Sequence, residues 1–112
     1  MGFRQATEPE ARFRERRRGV RMNSRVTVAL EWKDPSGEPM RLEAQTRIVS
    51  PYGCMVVVRA ALHLDQPVEV TNLANQMKNH GVIVWRGRER VEGVELGIEL
   101  IDPPMEFWGL EL

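Results

Sequence analysis

Six arginines fall within the twelve residues RFRERRRGVRMN, Arg12 to Asn23, of a chain whose formal net charge is zero. Every cation in this stretch is arginine, and none is lysine. A guanidinium group presents a planar fork of donors that can bind phosphate bidentately and stack on purine rings, whereas solubility alone does not require that geometry. The stretch therefore predicts contact with an anion, although a solvated basic tail would have the same composition.

Charge is distributed unevenly along the chain. Residues 1–25 hold eight arginines against three glutamates, a net charge of +5, and residues 26–112 hold eight basic against thirteen acidic residues, a net charge of −5. This division is typical of a basic arm that binds an anion, but such an arm can also dock on the acidic body of its own domain.

The histidines and the single cysteine offer little for catalysis. His63 and His80 are isolated, and neither stands at metal-ligand spacing from Cys54. Cys54 falls in the apolar run CMVVVR, where cysteine usually serves as a small buried side chain. One cysteine cannot form an internal disulfide, which favours a reducing, cytoplasmic location.

The carboxylates do not form a convincing acid–base pair either. Glu92, Glu95 and Glu99 are expected on the solvated face of a strand. The chain has no phosphate-binding loop, dinucleotide fingerprint or nucleophile elbow. We therefore expect a protein that is not an enzyme and uses no metal or cofactor.

The pattern of apolar residues in the rest of the chain predicts short β-strands. Apolar residues alternate in SRVTVALEW and VELGIEL, and an even-numbered apolar face carries Met40, Leu42, Ala44 and Ile48. An asparagine-rich connection is expected over residues 71–81, and a polar hairpin loop over residues 88–93. Strands are predicted within residues 24–32, 40–48, 54–59, 67–70, 81–87 and 94–100. Six strands with frequent turns and no long helix indicate an antiparallel barrel or sandwich.

The domain organisation is simple. The length of 112 residues allows one domain. Residues 1–15 are expected to be a mobile lead-in, and residues 16–112 the β-domain. Trp32 and Trp85 are expected in the core or the barrel wall, and Phe107 and Trp108 are expected to hold a short terminal segment on the barrel. No run of eighteen apolar residues occurs, so we expect no membrane insertion.

Two short elements of the sequence resemble the PilZ domain, the bacterial receptor module for the second messenger cyclic di-GMP. RRGVR, from Arg17 to Arg21, matches the RxxxR element of the family, and Arg16 supplies the preceding arginine. SPYG, from Ser50 to Gly53, matches the SxxG part of the [DN]xSxxG element at the expected separation. The runs VIVWRG and VELGIELIDPP are similar to the closing strands of the family.

The resemblance implies a small six-stranded antiparallel barrel with a flexible basic N-terminal arm that folds over the ligand. Arg16, Arg17 and Arg21 would bind the phosphates and guanine edges of cyclic di-GMP, and Ser50 would offer its hydroxyl. Gly53 would supply the positive φ and the close backbone approach that the turn needs. Members of the family act as non-enzymatic switches on partner proteins.

The chain departs from the family pattern at Ile48, where PilZ domains have Asp or Asn. An isoleucine cannot accept hydrogen bonds from guanine, and the unpaired donors would cost about 1–3 kcal/mol. Because Ile48 fits the even-numbered apolar face, we expect that it serves the core. The alternative hypothesis is that the chain is a degenerate PilZ domain, which does not bind the nucleotide and instead binds a protein. An OB- or SH3-like nucleic-acid binder is a third hypothesis, which the acidic body disfavours.

Overall fold

The computed structural model of the protein describes residues 22–109. Within them lie six strands and no helix: β1 (Thr27–Lys33), β2 (Pro39–Ser50), β3 (Gly53–Val58), β4 (Pro67–Asn72), β5 (Met77–Arg90) and β6 (Gly93–Leu100). All neighbouring strands are antiparallel, and they close into a barrel in the order β1-β2-β3-β6-β5-β4. The predicted all-β, six-stranded antiparallel barrel is confirmed.

The barrel closes where β1 pairs with β4. Leu30 of β1 lies opposite Leu42 of β2 on one side and Val70 of β4 on the other. Branched aliphatic side chains from all six strands fill the interior, as the alternating pattern requires. The buried members of this core include Val28, Leu30, Val49, Cys54, Val56, Val58, Val68, Val70, Ile83, Val94, Leu96, Ile98 and Leu100.

A covering segment lies at each end of the barrel. Leu62, in the loop between β3 and β4, is buried at the end that carries the β5–β6 turn, which we call the β5–β6 end. Phe107 and Trp108 are buried at the opposite end, the β2–β3 end, and their rings meet edge to face at 4.9 Å. The two aromatic residues hold the terminal segment on the barrel, as predicted. That segment consists of turns, with no strand in its described part.

Asn72 fixes the terminal segment to the barrel. This asparagine is fully buried at the end of β4, and its Nδ2 donates to the carbonyl of Phe107 at 2.8 Å. Its Oδ1 accepts from the backbone N–H of Ala74 at 2.9 Å. Because both ends of the side-chain amide have partners, its burial carries no unpaired polar group.

Strand β5 is longer than the sequence pattern suggested. It begins at Met77, so the asparagine-rich connection predicted over residues 71–81 is wrong: only residues 73–76 separate β4 from β5. The strand also continues to Arg90, which leaves two residues of the predicted polar loop outside the strands. Gly93 follows with a φ of 141°, and a Cβ there would overlap the carbonyl oxygen of Val58. The backbone of β3 thus requires glycine at the start of β6.

Two of the three carboxylates expected on a solvated face are buried. Glu95 and Glu99 are each 7% exposed, whereas Glu92 is exposed. Glu95 is paired with Arg90 across the β5–β6 hairpin, and Arg90 Nε donates to its Oε2 at 2.6 Å. The hydrogen bond from Arg90 holds the pKa of Glu95 below its usual value. The expectation of a fully solvated face was wrong for Glu95 and Glu99, and at Glu95 the side chain of Arg90 lies against the carboxylate.

The change Glu95→Gln is expected to lower the free energy of unfolding by about 1 kcal/mol at pH 7. A carboxyl with a depressed folded-state pKa stabilises the fold above its unfolded pKa, about 4.3. That stabilisation is lost as the pH falls through the folded-state value, so the difference between the wild type and the variant should shrink steadily as the pH is lowered below the unfolded pKa. Urea denaturation at pH 7 and at a series of lower pH values measures this. Glu92→Gln is the control, and an equal effect of the two variants would contradict the assignment.

Candidate functional site

The predicted site residues fall in two parts of the chain. Arg16, Arg17 and Arg21 lie outside the described residues. Ser50 and Gly53 are described and occupy the hairpin between β2 and β3, where they pair with each other in register. Pro51 and Tyr52 form the two-residue turn between them.

Gly53 does not have the backbone conformation that was predicted for it. Among the described glycines, only Gly37, Gly93 and Gly109 have a positive φ. Gly53 instead belongs to β3, paired with Ser50 on one side and with Glu99 of β6 on the other. The prediction of positive φ is wrong because the turn is made by the two residues before Gly53. Gly53 is buried in the middle of three strands.

Two segments distant in sequence contact the backbone of Ser50 and of its neighbour Val49. Ser50 is 1% exposed, and its carbonyl accepts a hydrogen bond from Trp108 Nε1 at 2.8 Å. Beside it, Val49 forms an isolated antiparallel bridge with Met22, with both N–H···O distances at 2.9 Å. The residue that directly follows Arg21 in the sequence is therefore attached next to Ser50.

A β-bulge at the end of β2 determines which side chains face outward. Thr46 pairs with Val56 and Ile48 with Met55, so Arg47 is the extra residue. The bulge reverses the alternation, as an inserted residue must. Val49 is consequently fully buried, whereas Ile48 is half-buried and points outward. The prediction that Ile48 serves the core is wrong.

A second bulge turns Trp85 toward the outside. The register of β5 with β6 shifts between Ile83 and Trp85, after which Trp85 pairs with Gly97. A Cβ added to Gly97 would lie 3.1 Å from Trp85 Cβ, which puts the tryptophan against the outer side of that glycine. Trp32, by comparison, packs against the core. Glycine within a strand often marks such a close approach, and Gly97 was the sequence signal for it.

These pairings define one outer surface that spans four strands. One row across it consists of Ser50, Gly53, Glu99 and Val82, and the next of Ile48, Met55, Gly97 and Trp85. Directly paired residues project to the same side of a sheet. We call this the glycine-centred face, because Gly53 and Gly97 stand at its middle. Ser50, Gly53 and Glu99 are buried, and Trp85 lies against Gly97. Its rim combines an indole, two aliphatic residues, a thioether, a hydroxyl and a carboxylate.

The other candidate groups lie apart from this face. Cys54 is fully buried in the core, and burial raises the pKa of its thiol to about 12, so the thiolate is not accessible near neutral pH. His63 and His80 are exposed. Within residues 22–109, no three His, Cys, Asp or Glu side chains are grouped as a metal site would need. The same part of the chain contains no helix long and apolar enough to cross a membrane.

Comparisons of the chain with protein-family models, with curated proteins and with solved structures gave no match. The geometry of the barrel and the residues on it are accordingly the basis for a functional proposal.

The opposite orientations of Ile48 and Val49 can be tested by stability. We expect Ile48→Asp to lower the free energy of unfolding by about 1–2 kcal/mol, because a half-buried outer position loses β-propensity and some apolar contact. Val49→Asp is expected to cost at least about 4 kcal/mol, since it buries a carboxylate among aliphatic side chains. Chemical denaturation measures both. Similar losses for the two variants would contradict the bulge at Arg47.

Proposed function

We propose that this chain is a PilZ-type signalling module that binds cyclic di-GMP on the glycine-centred face and regulates a partner protein. The closed six-stranded antiparallel barrel supports the proposal, since it is the architecture that the sequence resemblance implies. The SPYG hairpin supports it as well, because Ser50 and Gly53 pair with each other at the end of β2, in the same row as Glu99 of β6.

The observation that carries the proposal is the bridge between Met22 and Val49. RRGVR ends at Arg21, the residue before Met22, and consecutive Cα atoms are about 3.8 Å apart. The bridge holds Met22 beside Val49, the neighbour of Ser50, although Arg21 and Ser50 are 29 residues apart in sequence. A two-part ligand site requires this proximity.

Each residue has a distinct task in the proposed complex. Arg16, Arg17 and Arg21 bind the phosphates and guanine edges, since guanidinium forms bidentate bonds with both. Ser50 donates or accepts through its hydroxyl at the end of β2. Gly53, which has no Cβ, lets the nucleotide approach the backbone. The arm that contains the arginines orders on the ligand, which couples binding to a change in the surface offered to a partner.

Calorimetric titration with cyclic di-GMP tests the proposal. We expect saturable binding in the wild type and a loss of at least about a hundredfold in the double variant Arg17→Ala, Arg21→Ala, because each charged hydrogen bond contributes about 1.5–3 kcal/mol. The double variant Arg12→Ala, Arg14→Ala removes the same charge from the same arm and should bind within about threefold of wild type.

Two results of this titration would argue against a nucleotide site of this geometry. The first is the absence of saturation at hundreds of micromolar in both the wild type and Ile48→Asp. The second is an equal loss of affinity in the two double-arginine variants, which would indicate attraction by net charge alone.

Ile48→Asp is expected to tighten binding of cyclic di-GMP about ten- to a hundredfold, since its carboxylate would pair with guanine donors that the isoleucine leaves unpaired. The outward orientation of position 48 makes this gain possible without disturbing the core. Ile48→Val is the matched control, because it keeps the aliphatic character and supplies no acceptor. Tighter binding in Ile48→Val would contradict the assigned role of position 48. So would unchanged affinity in Ile48→Asp when the wild type itself binds the nucleotide.

A degenerate PilZ module that binds a protein instead of the nucleotide is the second candidate. The observation that favours it is the outward-facing aliphatic and thioether pair of Ile48 and Met55, which offers no hydrogen bond to a base. The titrations distinguish the two candidates. If Ile48→Asp binds cyclic di-GMP and the wild type does not, the site has kept its architecture but no longer binds the nucleotide.

A further inference from the structure

A cleft of about 320 Å³ opens at the β5–β6 end of the barrel, away from the SPYG hairpin. Its floor includes Val58 and Val94, and its walls come from the start of the β3–β4 loop and from the β5–β6 hairpin. Three arginines line it, Arg59, Arg86 and Arg90, with Glu89 as the acidic residue among its lining side chains. The lining therefore has an excess of positive charge.

Two of the three guanidinium groups are held in place by the protein. Arg59 Nη2 donates to the carbonyl of Val91 at 2.6 Å, and its Nε donates to the carbonyl of Glu92 at 3.3 Å. These contacts tie the loop after β3 to the hairpin turn. Arg90 is held by its ion pair with Glu95. The cleft is thus bordered by guanidinium groups whose positions are already fixed, which reduces the entropy lost on binding.

Arg86 differs from the other two. It is exposed and lies opposite Leu96 of β6, and its side chain makes no hydrogen bond or ion pair with any residue between 22 and 109. None of the five N–H donors of its guanidinium group is used by a residue in that range. Next to the cleft, the side chain of Val91 at the tip of the hairpin is 89% exposed. An exposed guanidinium group beside an exposed aliphatic side chain is complementary to a peptide in which carboxylates alternate with apolar residues.

We propose that this cleft binds an acidic segment of a partner protein, with Arg86 pairing with a carboxylate and Val91 contacting an apolar neighbour. A compact polyanion fits less well, because the carboxylate of Glu89 lies among the lining side chains and would repel it, whereas carboxylates spaced along a peptide can avoid it. The site goes beyond the proposed nucleotide function and does not depend on it. Its distance from the SPYG hairpin lets one molecule hold both ligands.

The probe is the acetylated and amidated pentapeptide Glu-Glu-Leu-Glu-Glu, titrated into the full, isotope-labelled chain and followed by amide chemical shifts. We expect the shifts to concentrate on residues 58–60 and 86–94. Arg86→Gln should weaken binding about fivefold or more, the equivalent of one exposed charge pair. Arg41→Gln, which removes an exposed arginine from β2 on the opposite wall, should stay within about twofold.

The control peptide Gln-Gln-Leu-Gln-Gln keeps the length and the leucine but has no carboxylate. Equal binding of the two peptides would overturn the proposal, as would equal losses in Arg86→Gln and Arg41→Gln. Shifts confined to residues 48–55, or no shifts at millimolar peptide, would also overturn it. Because Arg86 has no partner among the described residues, the variant should keep the wild-type pattern of amide shifts elsewhere, which shows that it is folded.

Discussion

The pairing of β1 with β4 is the contact on which the other features of the barrel depend. It joins the two outer strands of the sheet, so that every strand in residues 22–109 has neighbours on both sides. No helix covers either face of the sheet in this part of the chain, and one cysteine provides no internal disulfide. The aliphatic core is therefore shielded from water only because the sheet curves back on itself and each end is covered.

A closed sheet also limits how the protein can bind other molecules. Strand addition needs a free edge, and the barrel has none among its described strands. Ligands and partners must use the outer wall or the two ends. The glycine-centred face lies on the outer wall and the arginine-lined cleft lies at one end. Both include residues of β3, β5 and β6.

The alternation of apolar residues was sufficient to predict the barrel but not its bulges. The period-two patterns in β1 and β6 correctly predicted which of their residues face the barrel interior, because side chains alternate strictly along an unbroken strand. Arg47 and Val84 each add one residue that breaks this alternation, and nothing in their own types marks them. The prediction that Ile48 serves the core was wrong for that reason. The prediction for Trp85, in the core or the barrel wall, did not specify that its side chain faces outward. The predicted asparagine-rich connection was wrong for another reason. Asparagine is common in turns, yet Asn79 lies within β5, where its side-chain amide donates a hydrogen bond to the carbonyl of Ile101.

The amide of Asn72 has a consequence for how the molecule opens. Its Nδ2 has its protein partner on the terminal segment, at the carbonyl of Phe107, although the asparagine itself lies at the end of β4. If that segment detached, Asn72 Nδ2 would lose its partner at the same moment as Phe107 and Trp108 became hydrated. We therefore expect Phe107 and Trp108 to separate from the barrel only at a free-energy cost well above that of a fraying chain end.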